Sequence, residues 1–436
     1  MFDLFLKNGF VYINGSFKKT NIGISSGKIA YIGNDEYKAT KVVDVSNRKV
    51  LPGLIDPHVH FNLFCGTIPS RDDFYYGSKS AIYGGITTIV DFLDPSRNAK
   101  ELEKTFKERM KQAKNCNVDY HFHACLREPN GDLEQYVLKM KELGINTVKI
   151  FTTYSETHRR TYDEDIIKLL KLSRKHKFVV CAHIERDNLI KHNKNFTYKD
   201  LPNARNTDAE VTEAMKLCKF AVKTRGHLYM VHCSSGRTLD SIVNTYGKYL
   251  GKYIYVESCP QYFMFNKNVI KKDDGYLYTF APPLRSEYER KLLCKNFKYI
   301  SSIGTDHCSF NKADKESHPA LEGHPLGVGG VESALLTMYE MFGSDVIDKM
   351  CKNTAKIQRF KYKNGIKVKN YADLVIISSD HQIVGKPHGK ADYSIYEGMQ
   401  LSNTIYATIV GGQLVMKEGK FHPHKGKYIR CETRRL

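Results

Sequence analysis

Along most of this chain, short and nearly continuous apolar runs alternate with longer stretches in which apolar positions recur every three or four residues. The runs fall at 48–56, 87–92, 119–126, 147–151, 178–184, 227–233, 253–258 and 300–305. Most are rich in β-branched or aromatic side chains and apolar at almost every position, as strands buried on both faces are. Amphipathic stretches at 98–114, 132–143, 163–176, 207–224 and 235–249 lie between them. Asp132 and Asp163 stand where helix N-caps are needed, and Gly144 where a helix would stop. Eight strands alternating with helices predict an α/β fold, a parallel (β/α)8, TIM-like barrel.

The two ends read differently. Residues 1–47 alternate and turn, over Lys7–Gly15 and again over Gly27–Asn34, and Asn-Gly between apolar runs is a hairpin signal. Residues 372–377 and 405–416 repeat the pattern near the other end. The expected organisation is a β-sandwich domain formed from both termini, with residues 1–50 and 361–436 flanking a barrel at 51–360. The basic, polar stretch 421–436 is expected to be loosely held.

At 436 residues, with 41% hydrophobic and 11% aromatic side chains, the chain can bury a large core. Met1–Lys7 is too short and too early broken by charge to act as a signal peptide. No run approaches the roughly 18 apolar residues of a membrane helix. The eleven cysteines form no C-x-x-C pair and lie mostly in apolar runs, which fits reduced thiols in a cytoplasmic protein. The net charge of +20, from 67 basic and 47 acidic residues, raises the question of nucleic acid. The basic residues are spread along helices and tails, without an arginine-rich segment, zinc finger or recognition helix, so neither nucleic acid nor membrane is expected as a partner.

Polar groups at the ends of the apolar runs carry the chemistry. His58 and His60 share one face of a strand, since side chains two apart point the same way. Lys149, His183, His232 and Asp306 each sit on or just past a later run. Any one of them could be a satisfied core residue. Burying all six without partners would cost several kcal/mol each, and in a barrel all would lie at the C-terminal ends of strands, where catalytic groups gather. Four histidines, a lysine and an aspartate exceed the needs of one tetrahedral ion. Two divalent ions, zinc by the nitrogen-rich ligand set, would use them all if something bridges the pair. An ammonium cannot ligate a cation, so Lys149 must be neutral or modified; carboxylation to N6-carboxylysine would make it an anionic bridge. Such a centre deprotonates a bridging water to hydroxide and polarises a carbonyl oxygen. Asp306 can ligate one ion and shuttle the proton to a leaving nitrogen.

This set resembles the amidohydrolase superfamily, whose binuclear members carry a carboxylated lysine on the fourth strand. Other stretches are similar to the dihydropyrimidinase/D-hydantoinase family: Gly66–Phe74, Gly84–Phe92, Cys259-Pro260-Gln261-Tyr262, Pro282-Pro283-Leu284-Arg285, Gly304–Cys308, Asn353–Ile357 and Tyr396–Met399. The resemblance implies ring opening of dihydropyrimidines or hydantoins to N-carbamoyl amino acids, two metal ions, usually zinc, and a homotetramer. It also implies that Tyr154, five residues after Lys149, stabilises the oxyanion. The family often has a ring-contacting serine where Ala281 stands, and an asparagine near Leu326–Gly330, so substrate contacts there depart from the pattern. Dihydroorotase would place an arginine where Asn62 stands, and allantoinase lacks the Asp91-Phe92 stretch. A non-catalytic structural relative would be expected to have lost metal ligands, and none is lost here.

Overall fold

The computed structural model describes residues 1–64 and 68–432. Eight parallel strands run in sequence order around a barrel: β1 (Leu54–Val59), β2 (Ile86–Phe92), β3 (Asp119–Cys125), β4 (Thr147–Phe151), β5 (Val179–His183), β6 (Leu228–Met230), β7 (Ile254–Ser258) and β8 (Ser302–Ile303). A parallel bridge between Val59 and His307, with His60 N–H donating to His307 O at 2.8 Å, joins the first and last staves. The strands are almost wholly buried, because helices cover them outside and side chains fill them inside. One apolar core runs through barrel and helices, from Leu54 and Ile89 to Leu217, Ile303 and Met350.

Helices at Ala99–Gln112, Leu133–Glu142, Asp163–His176, Thr207–Thr224 and Gly236–Tyr246 occupy the amphipathic stretches. Asp132 caps its helix, accepting from Glu134 N–H at 2.9 Å. Asp163 is instead the first helical residue, behind Tyr162; there its charge complements the positive end of the helix dipole.

Strands from both ends form one nine-stranded sheet. The long strand Phe2–Ile13 pairs antiparallel with Ser16–Ser25 on one side; on the other it pairs first with Ala39–Asp44, then with Lys49–Pro52. Leu374–Ser378 adds to Lys49–Pro52, and Thr404–Val410 follows. Leu6, Ile22, Val50, Ile376 and Ile409 share its separate core.

The apolar run at 48–56 is therefore two strands. Lys49–Pro52 belongs to the terminal sheet and Leu54–Val59 to the barrel, with Gly53 at the joint. A Cβ on Gly53 would lie 2.4 Å from both Asp373 Cβ and Thr87 Oγ1, so only glycine lets the two sheets meet there. The stretch after residue 421 is likewise not loose as far as residue 432. Tyr120 in β3 donates its N–H to Lys427 O at 2.9 Å and accepts from Ile429 N–H at 2.8 Å, and Tyr428 stacks on Phe122 at 5.6 Å. Its aromatic ring outweighs the polar residues around it. Residues 433–436 lie outside the described residues.

Candidate active site

The six polar residues stand at the C-terminal ends of β1, β4, β5, β6 and β8. His58 is in β1 and His60 just beyond it; Lys149 is in β4 and His183 ends β5; His232 and Asp306 follow β6 and β8. His232 (φ +41°) and Asp306 (φ +54°) adopt left-handed backbone, as does Tyr154 (φ +70°) in the loop after β4. Such conformations cost of order 1–3 kcal/mol each in side chains other than glycine. They turn these residues out of their strands and over the barrel mouth.

His58 Nε2 and His60 Nε2 both approach Asp306 Oδ1 at 3.1 Å. The ligand atoms of these three residues lie within 4.8 Å of one another, close enough to hold one ion. A second pair faces them: His183 Nδ1 is 3.0 Å from His232 Nε2, and the His58 and His232 rings are 5.3 Å apart. Lys149 is buried, with its ammonium 5.1 Å and 5.2 Å from the rings of Phe92 and Phe151.

Two carboxylates behind the histidines set which nitrogen carries the proton. Glu257 Oε1 lies 2.7 Å from His58 Nδ1 and also accepts from His232 N–H at 3.1 Å; Tyr229 donates to its other oxygen. Glu185 Oε2 lies 2.6 Å from His183 Nε2. With Nε2 protonated, His183 Nδ1 turns a lone pair into the mouth, and His58 Nε2 does so whenever that ring is in its neutral form. His58 Nε2 is buried without an aligned hydrogen bond, and two imidazole nitrogens at 3.0 Å need a shared proton or a cation beside them.

The electrostatics point the same way. Burial lowers the pKa of His60, pushes His183 down to about 4 and holds His232 well below its usual value, so these rings are neutral near pH 7. Burial also lowers Lys149. Burial opposes charging of His58, but Glu257 and Asp306 outweigh it and lift its pKa to about 9. Burial would raise Asp306, yet His58 and His60 hold it well below the usual carboxylate range. Neutral His60, His183 and His232 around an ionised carboxylate offer the lone pairs a divalent cation requires, and His58 would add its own by giving up its extra proton to the bound cation's advantage. The residues present fit a metal centre.

Tyr154 is brought to the same place, its ring 5.3 Å from that of His183. Its hydroxyl accepts from Arg205 Nη2 at 2.9 Å, and burial pushes its pKa up to about 12, so the phenol keeps its proton. Ala281 is half-buried beyond β7 and joins none of these side-chain contacts among the described residues. Gly66 and Thr67, which open one of the motif stretches, lie outside the described residues.

Sequence reasoning missed Glu257, Glu185 and Arg205. Glu257 was findable by the criterion that exposed Lys149, an ionisable side chain inside an apolar run (Val256-Glu257-Ser258). Glu185, two residues after His183, carries a weaker form of that signal. Arg205 lies between helices, where an arginine is unremarkable.

Residues 49–415 match the sequence model of the amidohydrolase family, and the chain belongs to that family. It is thus a hydrolase, and membership implies a divalent metal centre. Among curated relatives it is 27% identical to the D-hydantoinase of Geobacillus stearothermophilus, over 98% of this chain and 96% of the relative. It is 26% identical to a D-phenylhydantoinase of Escherichia coli, over 98% and 97%. The solved D-hydantoinase (dihydropyrimidinase) from Thermus sp. superposes with a TM-score of 0.91 at 26% identity, covering 99% of each chain. Dihydropyrimidinase from Brevibacillus agri shares the fold at a TM-score of 0.93 and 24% identity, over 99% of both chains.

Proposed function

We propose that this chain is a cyclic amidohydrolase that opens dihydropyrimidine or hydantoin rings to N-carbamoyl amino acids. The observation that carries this reading is the convergence at one barrel mouth of His58, His60 and Asp306 with the His183–His232 pair, Lys149 between them in strand order. The curated relatives support the ring class, since those cited are hydantoinases.

His58, His60, Lys149, His183, His232 and Asp306 would hold two divalent ions, zinc by ligand chemistry, with Lys149 as N6-carboxylysine. When bound, two such ions supply Lewis acidity, acidifying a water and polarising the scissile carbonyl. Burial favours the uncharged Lys149 amine, the form that reacts with CO2. Asp306, ionised and reached by both His58 and His60, is the group that takes a proton from the attacking water. It returns that proton to the ring nitrogen as the C–N bond breaks. Tyr154 donates its hydroxyl proton in a hydrogen bond to the oxygen on which charge develops. Glu257 and Glu185 hold the His58 and His183 tautomers. Ala281 would meet the ring through its backbone.

Leaving Cys308 aside, nine of the described cysteines are free thiols, eight of them buried, which supports a reducing, cytoplasmic setting. Among the described residues no helix is long and apolar enough to cross a membrane. Homotetramer formation follows from the family resemblance, and sedimentation measurements would test it. The function is tested by assaying dihydrouracil, hydantoin, a 5-aryl hydantoin, allantoin and dihydroorotate side by side, with metal analysis. Two ions per chain and opening of the first three rings are expected. Opening of dihydroorotate or allantoin alone, or tight binding of one ion, would overturn the assignment.

A further inference from the structure

Arg205 is a buried guanidinium, 7% exposed, paired with the buried carboxylate of Glu185. It sits immediately before the helix Thr207–Thr224, and Arg285 fixes its carbonyl by donating to Arg205 O. Its Nε lies 3.2 Å and 3.1 Å from the two oxygens of Glu185, and its Nη2 pairs with Glu185 Oε2 as well. The same Nη2 donates to Tyr154 Oη at 2.9 Å, and the guanidinium lies 4.7 Å from the centre of the Tyr154 ring. A carboxylate alone would be satisfied by a bidentate pair. The extra contact to the phenol is what a simple charge pair does not require.

An arginine has donors and no acceptor. Tyr154 Oη must therefore accept from Arg205, and the single phenolic proton has to point elsewhere. Tyr154 also sits on left-handed backbone, in a loop tied down by Ser155 Oγ to Asp187 at 2.7 Å and Arg160 to Asp187 at 3.0 Å. The loop holds the ring in place and the guanidinium takes one side of the phenolic oxygen, which leaves the proton for an acceptor other than Arg205. We propose that Arg205, anchored by Glu185, is a positioning residue that aims the Tyr154 proton at the developing oxyanion and strengthens it as a donor. This rests on the oxyanion role of Tyr154 proposed above and adds the device that sets it. Glu185 ties the device to His183, so one ion pair serves both the histidine cluster and the oxyanion donor.

A double-mutant cycle decides the matter, read on the ring of the panel above that the wild type opens fastest. Arg205→Lys keeps a positive charge beside Glu185 but has no fork to reach the phenol. It should lower kcat by about 10- to 100-fold, the loss of one charge-assisted hydrogen bond, with KM nearly unchanged. In a Tyr154→Phe background the same substitution should change kcat by less than about 2-fold, because the group it acts through is gone. Metal content should stay at the wild-type value in all three variants. Additive effects in the double variant would overturn the proposal, as would a change confined to KM. If Arg205→Lys loses metal, turnover is counted per bound ion in the wild-type and Tyr154→Phe backgrounds alike. An additive loss per bound ion would overturn the proposal; a non-additive one would support it. Unchanged turnover in Tyr154→Phe alone would instead overturn the oxyanion reading itself.

Discussion

The barrel buries charge at both of its ends, and the two ends treat it differently. At the base, Lys363 Nζ lies between Asp119 and Asp373, pairing with Oδ2 of each. The remaining oxygens are taken as well: Asp119 Oδ1 accepts from Lys427 N–H and Asp373 Oδ1 from Gly411 N–H, both at 2.8 Å. At the mouth, Lys149 faces aromatic rings, His58 Nε2 lacks an aligned partner, and two imidazole nitrogens confront each other. A buried network whose donors and acceptors are all matched locks a fold; one left partly unmatched is completed by something that binds. The base ties barrel, terminal sheet and final segment together, and the mouth is where chemistry is done.

The comparison breaks most readily at Lys149. Lys149→Ala should lose activity to background and metal with it, and a short carboxylic acid should restore part of both. A fully metallated, active Lys149→Ala enzyme would remove the bridge from the scheme. Asp306→Asn comes next, with kcat expected to fall by about 10²–10⁴-fold, the range for a lost general acid–base group; calorimetry should find the fold intact. Tyr154→Phe should cost about 10²–10³-fold in kcat, as loss of a single oxyanion donor does, with metal content unchanged. At the base the effect should move from rate to stability. Lys363→Met strands two buried carboxylates and should destabilise by about 3–5 kcal/mol, visible as a lowered Tm, while kcat of the folded protein stays at wild type. If that variant instead lost turnover without losing stability, the division between the two ends would be wrong. Smallest of all, Asp132→Ala removes one helix cap in the outer ring and should cost about 1 kcal/mol, with kinetics untouched.

Much of the barrel was legible because buried parallel strands write themselves as apolar runs, and the polar exceptions in those runs marked the mouth. His58, His60, Lys149, His183, His232 and Asp306 stood out for that reason. What could not be read belongs to tertiary packing. The break at Gly53 is invisible in a run that is apolar on both sides of it, because the two halves differ only in which sheet they join. The segment around Tyr428 reads as a polar tail since one aromatic among lysines and histidines gives no period. Arg205 is the sharpest case. Its meaning lies in Tyr154 and Glu185, which are distant in sequence, and no local pattern in the chain connects them.

The terminal sheet has a consequence for how the chain is made. Lys49–Pro52 finds its antiparallel partner in Leu374–Ile377, from the opposite end of the sequence. During synthesis the early strands must wait, with an edge uncovered, until nearly the whole barrel has been produced. Pairings of such long sequence separation form late and slowly, and an exposed strand edge invites association with other chains meanwhile. The yield of folded protein in cells should therefore depend on protection of residues 1–52 before the final strands arrive, a demand placed by topology alone.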